Sequence, residues 1–469
     1  MLQTKILSEK SGAILRVVLS RPYASAAVQP SAHADYCLQL PKPDGLKTTR
    51  LASGLFVATV ENYKPVTRIS LLFKAGSRYE TSETRGIVHR LKNLVGLSTS
   101  RRTAVDFNHH VASVGGILTS TASRDHLSFD LQIFRRNLVE AFRILDELLG
   151  GQFHAQEHEL ESSSAQMLRE VNSLKETNWP AYTLEKLHKV AYRRQGLANS
   201  LLSPKYAIGH HSVEQLAEFV LEHFTTGNAT LAVTGVNHEE VSKWASDVFT
   251  LTKGPSAAAP EKTKFYGGDL RKQQKSDLSV VHIGGPSVGL DDVRGTITHT
   301  LLANVLGTGP LVKWSDGGQN RLAKAVRKVT SSPFHVSASN IGYDGVGMFT
   351  IFYSSHWADS GAVAKAAVGQ LKSVASQGVS EDELQAAKNR VKYRLLTLAE
   401  NDDYVVEDLA VQAAVRQSDV CSAEDQLKAV DQVTAADLQQ AARNIVSGKL
   451  AVAAIGRLDK TPYSDELLS

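Results

Sequence analysis

Two stretches of this chain, about 220 residues apart, repeat one helix–strand pattern. Ser212–Phe224 sets Leu216, Phe219, Val220 and Phe224 on one helical face and runs into Ala229–Val236 (ATLAVTGV). Ala435–Val446 is again a helix, and it runs into Lys449–Gly456 (KLAVAAIG). Spacings of three and four residues are the helical period, and the short apolar runs that follow are strands. A repeat at this distance is a domain duplication, not a solenoid. Between the copies, Lys253–Tyr266 (KGPSAAAPEKTKFY) has the composition of a linker. The pattern predicts an α+β chain of two homologous domains, each a mixed sheet covered by helices, at 40–252 and 271–469 with a linker over 253–270.

Within the first half, Gly54–Val60 and Arg68–Lys74 alternate as strands around a turn-like Asn62–Pro65, which predicts a hairpin. Ile117–Ser120 and Leu127–Ile133 predict another. Helical patterns follow at Leu138–Leu149, Glu157–Glu176 and Pro180–Arg193. With 42% hydrophobic and 21% charged residues over 469 positions, wholesale disorder and rod-like folds are excluded. Two cysteines, Cys37 and Cys421, build neither a disulfide framework nor a Cys-rich zinc module. No apolar run reaches the roughly 18 residues that span a bilayer.

The positive charge sits at the start. Residues 1–23 carry Lys5, Lys10, Arg16 and Arg21 against Glu9 alone, and the rest of the chain is nearly neutral, with 48 basic and 47 acidic side chains. A basic, amphipathic, acid-poor opening has the character of a mitochondrial transit peptide, and Arg21-Pro22-Tyr23 before Ala24 predicts cleavage between Tyr23 and Ala24. Without that segment nothing points to nucleic acid: there is no basic run with interleaved aromatics.

Leu51-Ala-Ser-Gly-Leu-Phe-Val-Ala-Thr, Lys74-Ala-Gly-Ser-Arg-Tyr-Glu80 and Gly86-Ile-Val-His89 resemble the opening of the pitrilysin-type metallopeptidases. In that family a helix bearing His-x-x-Glu-His follows, and the domains are α+β units of about 200 residues, which agrees with the duplication. Positions i and i+4 share a helix face, so two histidines can hold one zinc while the Glu at i+3 holds the attacking water. Here the matching positions read His89, Lys92 and Asn93, and Glu170 in Met167-Leu-Arg-Glu is the nearest match to the family's third ligand. An amide is a poor zinc ligand, and an ammonium repels the metal and takes no proton from water. The resemblance therefore implies a vestigial site with no catalytic residue, metal or cofactor.

His154-Ala-Gln-Glu157-His158 satisfies the zinc pattern by letter, but it lies after Gly150-Gly151 in a strongly polar helix start. It reads as a solvated first turn whose Glu157, Glu159 and Glu161 complement the helix N-terminus. Gly307-Thr-Gly309-Pro lacks a Gly-Lys-Ser/Thr ending and reads as a turn after a helix over Thr296–Leu306. Tyr343 matches a family tyrosine that helps bind substrate in active members. Its own setting, Asn340-Ile-Gly-Tyr-Asp-Gly-Val-Gly347, is that of a strand-end aromatic.

Leu187-His-Lys-Val-Ala-Tyr-Arg-Arg, Leu197–Gly209, Val305–Lys313, Ser332–Asn340, Ala386–Lys392 and Thr461–Leu467 are similar to the family's noncatalytic core-subunit branch, which is built into mitochondrial ubiquinol–cytochrome c reductase (respiratory complex III). That resemblance implies an assembly role on the matrix side of the inner membrane, peripheral to it. The implied partners are core protein 1, cytochrome b, other complex III subunits and the presequence of the iron–sulfur subunit. The alternative is the substrate-recognising, noncatalytic subunit of the matrix processing peptidase. That subunit carries a long glycine-rich loop, where this chain offers only Gly307, Gly309, Gly317 and Gly318.

Overall fold

The computed structural model describes residues 45–151, 156–254, 263–310, 312, 320–417 and 419–468. The transit segment with Tyr23 and Ala24, the first histidine of the decoy motif (His154), and Gly317 and Gly318 lie outside these residues. In the first half the elements are β1 (Lys47–Arg50), β2 (Phe56–Val60), β3 (Val66–Phe73), α1 (Ile87–Lys92), α2 (Ala104–Ser113), β4 (Ile117–Ala122), β5 (Leu127–Phe134), α3 (Leu138–Gly151), α4 (Glu157–Glu176), α5 (Trp179–Tyr192), α6 (Val213–His223), β6 (Ala229–Thr234) and α7 (His238–Val248). The second half has β7 (Gly268–Gln273), β8 (Leu278–Ser287), α8 (Val293–Leu306), α9 (Arg321–Arg327), β9 (His335–Tyr343), β10 (Val346–His356), α10 (Ser360–Gln377), α11 (Glu381–Ala399), α12 (Asp402–Arg416), α13 (Ala423–Gln432), α14 (Ala435–Ser447), β11 (Ala451–Gly456) and α15 (Ser464–Leu468). No described helix is long and apolar enough to cross a membrane.

The duplication is visible in strand order. One sheet runs β1-β2-β6-β3-β5-β4 and the other β7-β11-β8-β10-β9. In the first, β6 is parallel to β2 and antiparallel to β3; in the second, β11 is parallel to β7 and antiparallel to β8. The outer pairs β3–β5–β4 and β8–β10–β9 are antiparallel in both. Among the described strands only β1 lacks a counterpart. The helix before each repeated strand opens with a capping box, Ser212 with Gln215 on α6 and Thr434 with Asp437 on α14.

The second expected hairpin forms as β4–β5, but the first does not. β6 inserts between β2 and β3, so that Ala232 faces Ala58 on one side and Ser70 on the other. All six residues of β6 are buried, and such a strand belongs in the sheet interior with partners on both edges. Residues 61–65 join β2 to β3 across a gap of two strand spacings, roughly 10 Å, which five residues span easily.

Each sheet is covered on its second face by a helix from the other half of the chain. On β3 and β6, Ile69, Leu71, Phe73, Leu231 and Val233 point into the first half's own core, whereas Leu72 and Ala232 pack against Val406, Leu409, Ala410 and Ala414 of α12. Reciprocally, Val452 and Ala454 of β11 enter the second half's core, while Ala451 and Ala453 meet Leu187, Ala191 and Tyr192 of α5. Polar contacts hold the start of α12 to the β2–β3 link: Lys64 lies 2.9 Å from Asp402, Asn62 donates to Asp402 at 3.2 Å, and Arg68 pairs with Asp403. The expected linker ends earlier than residue 270, because β7 begins at Gly268.

Candidate functional site

His89 sits on the six-residue helix α1, whose entry depends on Gly86. Gly86 has φ +85°, and a Cβ there would lie 2.2 Å from Ser203 Oγ, so both conformation and space require glycine. The free N–H groups at the start of α1 are taken by Glu80, which accepts from Gly86 at 2.9 Å and from Val88 at 3.1 Å. Burial outweighs those two bonds and the nearby Arg85, and pushes the Glu80 carboxyl up to about 8.

Both nitrogens of His89 are occupied. The Ser203 amide donates to Nδ1 at 3.1 Å, which leaves the proton on Nε2, and Nε2 donates to Glu170 at 2.8 Å. Glu170 reaches it from the middle of α4. Lys92 Nζ stands 3.7 Å from the same carboxylate oxygen, and the Asn93 amide turns back onto the His89 carbonyl at 2.9 Å. Burial pushes the His89 imidazole below its ordinary value against the pull of Glu170. Burial also raises Glu170, but the hydrogen bond from His89 and the Lys92 charge outweigh it and hold the carboxyl low. The vestigial residues are thus brought together as a neutral imidazole, a carboxylate and an ammonium. That is a closed ion-pair network with no imidazole lone pair left for a metal. The residues do not fit zinc.

The decoy falls elsewhere. Glu157 and His158 are exposed in the first turn of α4, where Glu159 accepts from the Gln156 amide at 2.6 Å. Twelve residues of helix separate His158 from Glu170, roughly 18 Å at 1.5 Å per residue. Among the described residues, no group of three or more His, Cys, Asp or Glu side chains could hold a metal ion.

Tyr343 ends β9 and donates its hydroxyl to Nε2 of His188 on α5 at 2.7 Å; His188 in turn donates from Nδ1 to the Leu184 carbonyl at 2.8 Å. Around it lies a set of residues that no local pattern announces. Arg124 pairs with Glu185 at 2.7 Å, Arg78 pairs with Asp125 at 3.0 Å, and Asp125 also accepts from the Asp344 amide at 2.8 Å. Burial, with Arg124 adding to it, drives the His188 imidazole well below its ordinary value. Tyr343 borders a cavity of about 80 Å³ with Lys74, Tyr79 and Asp125. The tyrosine therefore joins the two halves, with its hydroxyl already engaged. The signal that could have found this set is the charged turn Ser123-Arg-Asp-His126 between two strands, but its partners lie 47 to 219 residues away in sequence.

The family model described as Insulinase (Peptidase family M16) matches residues 56–205, and that described as Peptidase M16 inactive domain matches residues 211–391. The chain belongs to peptidase family M16. Within M16 it is 35% identical over 432 residues to the human protein named cytochrome b-c1 complex subunit 2, mitochondrial, covering 91% of this chain and 93% of that one. The Neurospora crassa protein of the same name is 26% identical over 457 residues, covering 95% and 94%. A probable mitochondrial-processing peptidase subunit alpha-1 of Arabidopsis thaliana is 26% identical over 433 residues, covering 91% and 85%. The fold matches a chain of a solved structure titled Complex III2 from Candida albicans, Inz-5 bound, with TM-score 0.79 at 16% identity, covering 90% of this chain and 99% of that one. The two-domain M16 fold and the resemblance to core protein 2 of complex III thus agree with the sequence reading. Lys92 and Asn93 follow His89 by three and four residues at the end of α1, the spacing at which the resemblance expected a base and a second imidazole.

Proposed function

We propose that this chain is a noncatalytic structural and assembly subunit of mitochondrial complex III, in the place of core protein 2. The observation that carries the proposal is 35% identity across 93% of the human subunit 2, against 26% for the processing-peptidase relative. The ion-paired His89–Glu170–Lys92 network supports it, because such a site has no use for a metal and no base for water. In this reading residues 1–23 are removed between Tyr23 and Ala24, and a domain at 40–252 and a second that starts by Gly268 and runs to residue 469 form the mature subunit. It pairs with core protein 1 on the matrix side of the inner membrane, beneath cytochrome b, and supports electron transfer from ubiquinol to cytochrome c without carrying a redox group.

Native electrophoresis of mitochondria solubilised in gentle detergent, with mass spectrometry of the bands, tests the reading. Co-migration with cytochrome subunits supports it; recovery only with a soluble peptidase partner replaces it with the processing-peptidase alternative. Any contact with the presequence of the iron–sulfur subunit falls to Tyr343. A Tyr343→Phe change that leaves presequence processing by the assembled complex unaltered removes that role.

A further inference from the structure

A cavity of about 580 Å³ opens beside α1, between the end of α4, the length of α5 and the segment 198–206. Seven cationic side chains line it and only two carboxylates. Lys175, Lys186, Lys189, Arg193, Arg194 and Lys205 converge on it from three segments of chain, and Arg85 from a fourth.

Both carboxylates are already engaged. Glu185 takes the Arg124 guanidinium at 2.7 Å and the Leu201 amide at 3.2 Å. Glu80 closes the start of α1, both of its oxygens accepting backbone N–H groups, and burial raises its carboxyl to about 8. None of the seven cations forms a salt bridge among the described residues. Two instead rest on aromatic faces: Lys186 lies 5.0 Å from the Tyr182 ring, and Arg193 lies 5.0 Å from the Tyr266 ring. Lys272 of β7 approaches the same Tyr182 ring at 4.9 Å. Burial lowers Lys175, and Lys205 and Lys272 lower it further; burial likewise lowers Lys186, with Lys189 and Lys175 adding to it.

Seven like charges against two carboxylates in one concavity focus a positive potential, which one multivalent anion relieves in a single binding event. We propose that this cavity binds a compact phosphoryl-bearing polyanion, either a phospholipid headgroup or a soluble polyphosphate such as a nucleotide. Convergence of the cations from four segments on one hollow suits a compact ligand; an extended acidic peptide needs charges laid out along a track. The basic charge also sets this cavity against a transit presequence, so the proposal goes beyond the assembly role and stands apart from it.

Calorimetric titration of the purified full chain with inorganic tripolyphosphate at low ionic strength tests the proposal. The expected result is one site per chain, with affinity falling steeply as salt is added. Lys189→Glu combined with Lys205→Glu, both exposed positions, weakens binding at least tenfold with an unchanged circular dichroism spectrum and Tm. Lys328→Glu, outside the cavity, leaves binding intact. Displacement of tripolyphosphate by phosphatidylcholine vesicles containing phosphatidic acid identifies a headgroup as the ligand; no displacement identifies a soluble phosphate. The proposal is overturned by failure of tripolyphosphate to bind, by binding indifferent to the double substitution, or by poly-glutamate binding more tightly.

Discussion

Lys92 is the residue on which the chemistry turns. At i+3 from His89 it shares the helical face where a base would stand, and it holds Glu170 at 3.7 Å. The double change Lys92→Glu with Asn93→His should put a second imidazole and a carboxylate on that face, but with the Ser203 amide still on Nδ1 of His89 metal analysis should find less than one zinc per chain. These two departures were legible in sequence because helical spacing places them. The Ser203 amide that closes Nδ1 of His89 was not, since it lies 114 residues on and contributes backbone alone. His282 shows the same limit. It lies within β8, yet its Nδ1 meets Thr183 of α5 at 2.8 Å, and burial drives its imidazole down to about 3. Below pH 6.5 the unfolded chain therefore takes up a proton that the folded chain does not. Stability present above pH 6.5 is lost progressively as pH falls toward 3. His282→Gln should lose about 1–2 kcal/mol at pH 7 through the broken hydrogen bond. Its stability, followed by urea unfolding, should then decline less steeply between pH 6.5 and 4 than that of the unaltered chain.

Helices and strands could be read from period and capping, since these depend on residues near one another in the chain. Their partners could not. The β2–β3 pair looked like a hairpin because both strands alternate around a turn-like link, and the strand that separates them arrives more than 150 residues later. The exchange of α5 and α12 was hidden for a related reason: each helix is amphipathic enough to cover a sheet, and nothing in its own residues says which sheet. Ala410 is fully buried where α12 crosses β3 and β6. Ala410→Phe should overpack that contact and cost about 1–3 kcal/mol, read as a lower urea midpoint. Val105→Phe, at an exposed position on α2, should shift the midpoint little.

For the whole molecule, the exchanged helices make the halves interdependent although the chain reads as a tandem duplication. A protease site introduced between residues 255 and 262 and then cut should give two fragments that stay together on gel filtration without denaturant; fragments that separate would contradict the exchange. The larger claim is that an M16 fold has been kept for assembly while its metal chemistry has been replaced by an ion pair. The zinc content of the purified full chain, measured by elemental mass spectrometry after exposure to excess zinc and desalting, tests that claim directly. The expected result is no stoichiometric metal, with or without His89→Ala. One zinc per chain, lost in His89→Ala, would contradict it.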